Sequence, residues 1–128
     1  RRTLYVAGEK DPLHLHALRN RFLRTPNVVV QRIDPTVADD LRGLENCFDT
    51  VLCINLVEYL TEPAAVLHRL RGTLKPQGVV VVLAPQGPAL FGSLDQRLGH
   101  KRRYRADDLR EGRRKCCRRS SRMSLTKS

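Results

Sequence analysis

Four short runs along the chain are apolar and rich in β-branched residues: Leu4 to Gly8 (LYVAG), Val28 to Ile33 (VVVQRI), Thr50 to Asn55 (TVLCIN) and Val79 to Ala84 (VVVVLA). Runs of this length, bounded by polar residues, read as strands. The last two carry no charge, which predicts strands buried on both faces. Between the runs the apolar spacing changes to that of a helix. Leu15, Leu18 and Phe22 recur on one face after Asp11-Pro12, a capping residue followed by a first-turn proline. Arg19, Arg21 and Arg24 suit the last turn, and Thr25-Pro26-Asn27 stops the helix. A second helix is expected after Thr61 as cap, with Glu62 and Pro63 in its first turn and Val66, Leu67, Leu70 and Leu74 on its buried face. Lys75-Pro76-Gln77-Gly78 then reads as a turn. Thr36 to Asn46 is polar, with one helical turn expected around Val37 to Leu41.

The order is strand, helix, strand, linker, strand, helix, strand. That alternation predicts an α/β fold with a parallel sheet covered by helices and joined by right-handed crossovers. Pro85 to Leu109 reads as loop, then weakly helical, with a dense polar set, GSLDQRLGHKRRYRADDL.

A length of 128 residues fits one domain. No run of 18 apolar residues is present, so no membrane span is expected. No signal peptide is visible, and the chain opens on Arg1-Arg2 rather than Met, which places the expected true start upstream. The net charge of +11 is uneven. Residues 110–128 hold eight basic residues against one acid, Glu111, and carry seven of those eleven charges. The expected division is therefore an α/β domain over 1–109 and a basic, disordered tail over 110–128. The tail's Arg/Ser/Cys composition is not that of the C-terminal part of an α/β domain. It has the look of a shifted reading frame or an alternative end. The four cysteines form no CxxC pair, and the four histidines complete no zinc spacing, so free thiols in a reducing cytoplasm and no metal are expected.

Three successive strands finish with an acid or an amide: Glu9, Asp34 and Asn55. In open α/β sheets ligands bind beyond the carboxyl ends of the strands. Glu9 is suited to accept the hydroxyls of a ribose, and a second acid one crossover along suits an exocyclic amine. The same acids are also ordinary turn formers and helix caps. The stretch FDTVLCINLVEYL, Phe48 to Leu60, places Asn55, Glu58 and Tyr59 where an apolar strand stops.

These motifs together resemble the class I S-adenosylmethionine-dependent methyltransferases, of the broad methyltransferase-domain group. YVAGEKDP resembles the family's second strand, whose acid falls on Glu9. NVVVQRIDPT resembles the third strand, whose acid falls on Asp34. FDTVLCINLVEYL resembles the fourth-strand motif, and LHRLRGTLKPQGVVVVLAP the next helix, turn and fifth strand. PALFGSLDQRLGHKRRY resembles a segment that closes over the substrate side in one subgroup. The resemblance covers roughly residues 3 to 110. It implies an incomplete three-layer Rossmann-like, mostly parallel sheet corresponding to strands 2–5 of the methyltransferase sheet.

What the resemblance implies for function is transfer of a methyl group from S-adenosylmethionine to a small-molecule or macromolecular acceptor. Glu9 with Lys10 would hold the ribose, and Asp34 with Pro35 the adenine. Asn55 and Leu56 would shape the amino-acid end. Glu58, Tyr59, His100 and Tyr104 are substrate-side candidates. No general base is assigned at Tyr59, where the family often has His. The family's E/D-x-G-x-G-x-G loop has no counterpart in the 128 residues, which read as a fragment beginning just past it, with impaired activity expected. In the family's strand order, 3-2-1-4-5, the strands ending at Glu9 and Asn55 would then pair directly or leave a gap. The final two family strands also have no counterpart. Gln77 stands where the family has Gly, and a Gln resists positive φ, so a type I turn ending on Gly78 is expected. The rival readings are a non-catalytic methyltransferase remnant, a nucleic-acid binder acting through Lys101 to Arg105 and the tail, and a nicotinamide-binding protein whose G-x-G-x-x-G is also missing.

Overall fold

The computed structural model describes residues 3–105, 107–108 and 122–127. The chain divides into two compact units, residues 1–42 and 43–128. Each has its own parallel sheet.

In the first unit β1 (Tyr5–Glu9) pairs in parallel with β2 (Val28–Arg32), from Tyr5 opposite Val28 to Glu9 opposite Arg32. Helix α1 (Pro12–Phe22) makes the crossover. Asp11 caps it as its sequence position predicts: Oδ1 accepts the N–H groups of Leu13 and His14 at 2.9 and 3.1 Å. Leu15 is buried, while Leu18 and Phe22 are half-buried on the same face. A Cβ at Gly8 would come within 3.1 Å of the Ile33 Cβ, so glycine lets that side chain lie over the end of β1. The single expected turn in the linker is a 3-10 helix, Ala38–Leu41, with Leu41 buried.

The second unit is a three-stranded sheet in the order β3 (Phe48–Ile54), β4 (Leu74–Ala84), β5 (Arg122–Lys127), all neighbours parallel. Helix α2 (Pro63–Gly72) joins β3 to β4, and a 3-10 turn, Val57–Tyr59, follows β3. A second 3-10 turn, Pro88–Leu90, and a short helix α3 (Ser93–Arg97) follow β4. Val66, Leu67 and Leu70 of α2 are buried with Cys53, Val80 and Val82 of the sheet. Cys53 sits opposite Val82 in register, so these two share the covered face. Burial pushes the Cys53 thiol up to about 11, which keeps it protonated.

Several expectations are corrected. Strand β3 is not buried on both faces: Leu52 and Ile54 are 63% and 58% exposed. It ends its three-stranded sheet, and among the described residues only the Cys53 face is covered. Helix α2 takes Glu62, not Thr61, as its N-cap and has no side-chain cap bond; the Thr61 hydroxyl accepts from the Lys101 ammonium. Leu74 is buried, but as the first residue of β4 rather than the last of a helix. Lys75 to Gly78 is not a turn ahead of the strand but lies within β4. It forms an irregularity in the pairing, which runs from Phe48 opposite Leu74 to Thr50 opposite Val79. Gln77 takes φ +69° there, against the expected type I turn, and Gly78 beside it must stay small: a Cβ on it would lie 2.9 Å from Leu74 Cβ and from the Lys75 carbonyl.

The expected disordered tail is corrected over Arg122–Lys127. This stretch is a strand paired in parallel with β4 from Val79 to Ala84. Its sequence alternates apolar Met123 and Leu125 with polar residues, the period of a strand, and β4 offers it a hydrogen-bonding edge. The rest of the tail, with Cys116 and Cys117, lies outside the described residues. Strands β1 and β3 belong to different sheets, so they do not pair directly.

Candidate functional site

In the first unit the parallel register brings the ends of β1 and β2 to one edge. Glu9 Oε1 accepts the N–H groups of Lys10 and Asp11 at 2.7 and 2.8 Å, which fixes the carboxylate at the strand end. Its Oε2 lies 4.0 Å from His14 Nδ1. Asp34 Oδ1 accepts from the Thr36 hydroxyl at 2.6 Å and the Thr36 N–H at 2.9 Å, and these bonds hold its carboxyl below the usual range. Asp34 Oδ2 lies 3.8 Å from Lys10 Nζ. Lys10 thus links the two strand ends, and Pro35 is half-buried beside them. Asp40 supports the edge by accepting from the Asp34 N–H at 2.8 Å and from Arg32 at 3.0 Å.

In the second unit β3 is followed by Asn55, an exposed residue at φ +48° whose N–H donates to the Leu83 carbonyl. That positive φ turns the chain sharply, and asparagine tolerates it better than most residues. Leu56 is half-buried. The 3-10 turn then presents Glu58 inward and Tyr59 outward. Glu58 is fully buried, and neither of its carboxyl oxygens has a hydrogen-bond partner. Burial raises its pKa, opposed in part by its own backbone amide and then by the nearby His100.

The segment after β4 folds back onto this turn. The Lys101 N–H donates to the Glu58 carbonyl at 2.7 Å, and the Tyr104 hydroxyl to the Val57 carbonyl at 2.8 Å. His100 lies between two partners, with Nδ1 3.0 Å from Asp95 Oδ1 and Nε2 3.1 Å from the Tyr59 hydroxyl. The Tyr59 and His100 rings also meet edge to face, with centroids 4.8 Å apart. Asp95 is buried and is the hub: Oδ1 accepts from Arg103 Nε at 2.8 Å and Oδ2 from the Gly92 N–H at 3.0 Å. The Arg103 guanidinium above all holds the Asp95 carboxyl well below the usual carboxylate range.

The structure therefore brings Tyr59 and His100 into contact, with Glu58 and Tyr104 bracing the same turn. It brings Glu9, Lys10 and Asp34 together at the other sheet's edge. Asp95 was not singled out from the sequence, and Arg103 only as one of the basic cluster Lys101 to Arg105. The signal for Asp95 was its place in the first turn of α3, where a carboxylate reaches back to cap the Gly92 amide. Among the described residues no group of three or more His, Cys, Asp or Glu side chains converges as a metal site. No helix among them is long and apolar enough to cross a membrane.

A family model for the methyltransferase domain matches residues 2–80, which include both strand-end acids and the whole of FDTVLCINLVEYL. Among solved structures the chain is similar to a Bacillus halodurans protein that carries a provisional methyltransferase assignment. The TM-score is 0.68 at 18% identity, over 87% of this chain and 51% of that one. The chain thus spans about half the length of that relative, and the likeness shows the shared fold. No curated protein matches the chain. Strand order, strand-end acids and a family match over more than half the sequence agree: the chain belongs to the methyltransferase-domain family and has its class I α/β fold.

Proposed function

We propose that the chain is an S-adenosylmethionine-dependent methyltransferase domain acting on a small-molecule acceptor. One observation carries this reading: two carboxylates, Glu9 and Asp34, stand at the ends of register-paired parallel strands, fixed by backbone amides and linked through Lys10. The donor set suits a nucleoside. Oε2 of Glu9 is not taken by the backbone amides that hold Oε1, and suits a ribose hydroxyl as acceptor. Asp34 with Pro35, at the same edge, suits the adenine side. The bound cofactor supplies an already activated methyl group, so the protein's part is mainly to hold donor and acceptor in line.

The cluster Lys101, Arg102 and Arg103 gives a nucleic-acid reading little support. Its side chains are turned to the protein's own groups: Lys101 to the Thr61 hydroxyl, Arg102 to the Thr61 carbonyl and Arg103 to Asp95. A non-catalytic reading is favoured by one sequence fact, the lack of an E/D-x-G-x-G-x-G loop in the 128 residues. On that reading cofactor binding and activity are impaired in these residues alone.

Glu9→Ala tests the assignment. Calorimetry on the wild-type chain and the variant should show S-adenosylmethionine affinity weakened by about 1.5–3 kcal/mol, the scale of a hydrogen bond to a charged group. Equal affinities would remove Glu9 from the site.

A further inference from the structure

The contact between Tyr59, His100 and Asp95 has the layout of a proton relay. Asp95 is ionised, because Arg103 and the Gly92 amide stabilise its charge. An ionised carboxylate 3.0 Å from Nδ1 fixes the proton of a neutral imidazole on that nitrogen. Nε2 then presents a lone pair, and the Tyr59 hydroxyl 3.1 Å away donates to it. Burial falls off along the line: Asp95 is 2% exposed, the His100 side chain 10%, and Tyr59 42%. The buried end orients the imidazole, and the exposed end can meet another molecule.

We propose that Tyr59, backed by His100 and Asp95, is a proton-accepting site for a hydroxyl-bearing acceptor, a phenol or an alcohol. This rests on the methyl-transfer reading and names the class of substrate for it. A neutral hydroxyl is a poor nucleophile and needs a base as it reacts. The acceptor O–H bond breaks and its proton goes to Tyr59 Oη, while the tyrosine's own proton passes to His100 Nε2. The electron pair left on the acceptor oxygen forms the new bond to the methyl carbon. The carbon–sulfur bond breaks with its pair staying on sulfur, and the imidazolium later returns its proton through Tyr59 to solvent. An acceptor that already carries a free anionic or lone-pair nucleophile would need none of this.

The charged groups around His100 are Asp95 and Arg103, which meet on the same carboxylate oxygen, and the buried Glu58 carboxyl.

Benzenesulfonyl fluoride provides a test that needs no cofactor. Tyrosine oxygen attacks the sulfonyl sulfur, fluoride leaves and the phenolic proton goes to a base. Tyr5, 57% exposed, is the reference within the same chain, and peptide mass spectrometry reads both sites. Although less exposed, Tyr59 should react at least about tenfold faster than Tyr5, a low value for general-base assistance. His100→Asn keeps an N–H donor for Asp95 and removes Nε2. It should bring the two rates within about twofold, the general-base contribution being lost. Equal rates in the wild type, or a Tyr59 advantage that survives His100→Asn, would overturn the relay. A chain that binds S-adenosylmethionine but fails this test keeps the methyl-transfer reading and loses the proposal. One that passes it without binding cofactor loses the methyl-transfer reading instead.

Discussion

The Tyr59 hydroxyl and His100 Nε2 lie 3.1 Å apart, although 41 positions separate them in sequence. Two hydrogen bonds to backbone carbonyls of the same turn hold them there, from the Lys101 N–H to Glu58 and from the Tyr104 hydroxyl to Val57. The polar segment after β4 is thereby an ordered covering of the β3 end, and its behaviour can be predicted from those few contacts.

Tyr104 is 7% exposed, with its hydroxyl on the turn. Tyr104→Phe keeps the ring and removes the bond to Val57. The Val57 carbonyl still accepts from the Leu60 N–H at 3.2 Å. The loss should therefore be that of one neutral hydrogen bond, about 1 kcal/mol in urea unfolding followed by circular dichroism. A loss near zero would mean that the hydroxyl finds equal partners in water.

Glu58 gives the fold a pH dependence of unusual sign. Burial raises the pKa of the folded state, so the folded state holds this proton longer than the unfolded one. Stability from this group is therefore full at low pH. It falls as pH rises from the unfolded value of about 4.3 and levels off above the folded one. Glu58→Gln removes the titration. The urea midpoint of the variant should gain on the wild type as pH is raised from 4 to 8. Parallel midpoints across that range would show that the carboxylate has found a partner.

Much of this was legible in the sequence, and the reasons are local. Asp11-Pro12 caps α1 because capping needs only neighbours two and three residues away. The strand-end acids could be found because a parallel register places successive strand ends together. What escaped depends on partners far along the chain. Thr61 looks like a cap until Lys101, 40 residues on, takes its hydroxyl. Asp95 looks like one acid in a polar loop until His100 and Arg103 converge on a single oxygen. The exposed face of β3 reads as buried because an uncharged run does not show which side is covered. Val81 and Leu83, paired with Leu52 and Ile54, are half-buried on that same open face.

The irregularity at the start of β4 offers a pair of opposite substitutions. Gln77 sits at φ +69°, where a side chain is strained and glycine is not. Gln77→Gly should raise stability by about 1 kcal/mol, the cost of the left-handed conformation. Gly78→Ala should lower it by about 1–3 kcal/mol, since the new methyl group meets the Leu74 side chain and a backbone carbonyl. Thermal unfolding of both variants reads the difference. The same sign for both would show that the strand can repack around this corner.

The most direct test of the central claim is a calorimetric titration of the 128-residue chain with S-adenosylmethionine, at moderate salt so that exposed basic residues contribute little. Saturable heats fitting one site are predicted, because Glu9 and Asp34 are already fixed at one sheet edge by backbone and side-chain bonds. Heats no larger than dilution, from a chain whose circular dichroism shows it folded, would contradict cofactor binding by these residues and leave a methyltransferase fold without its donor.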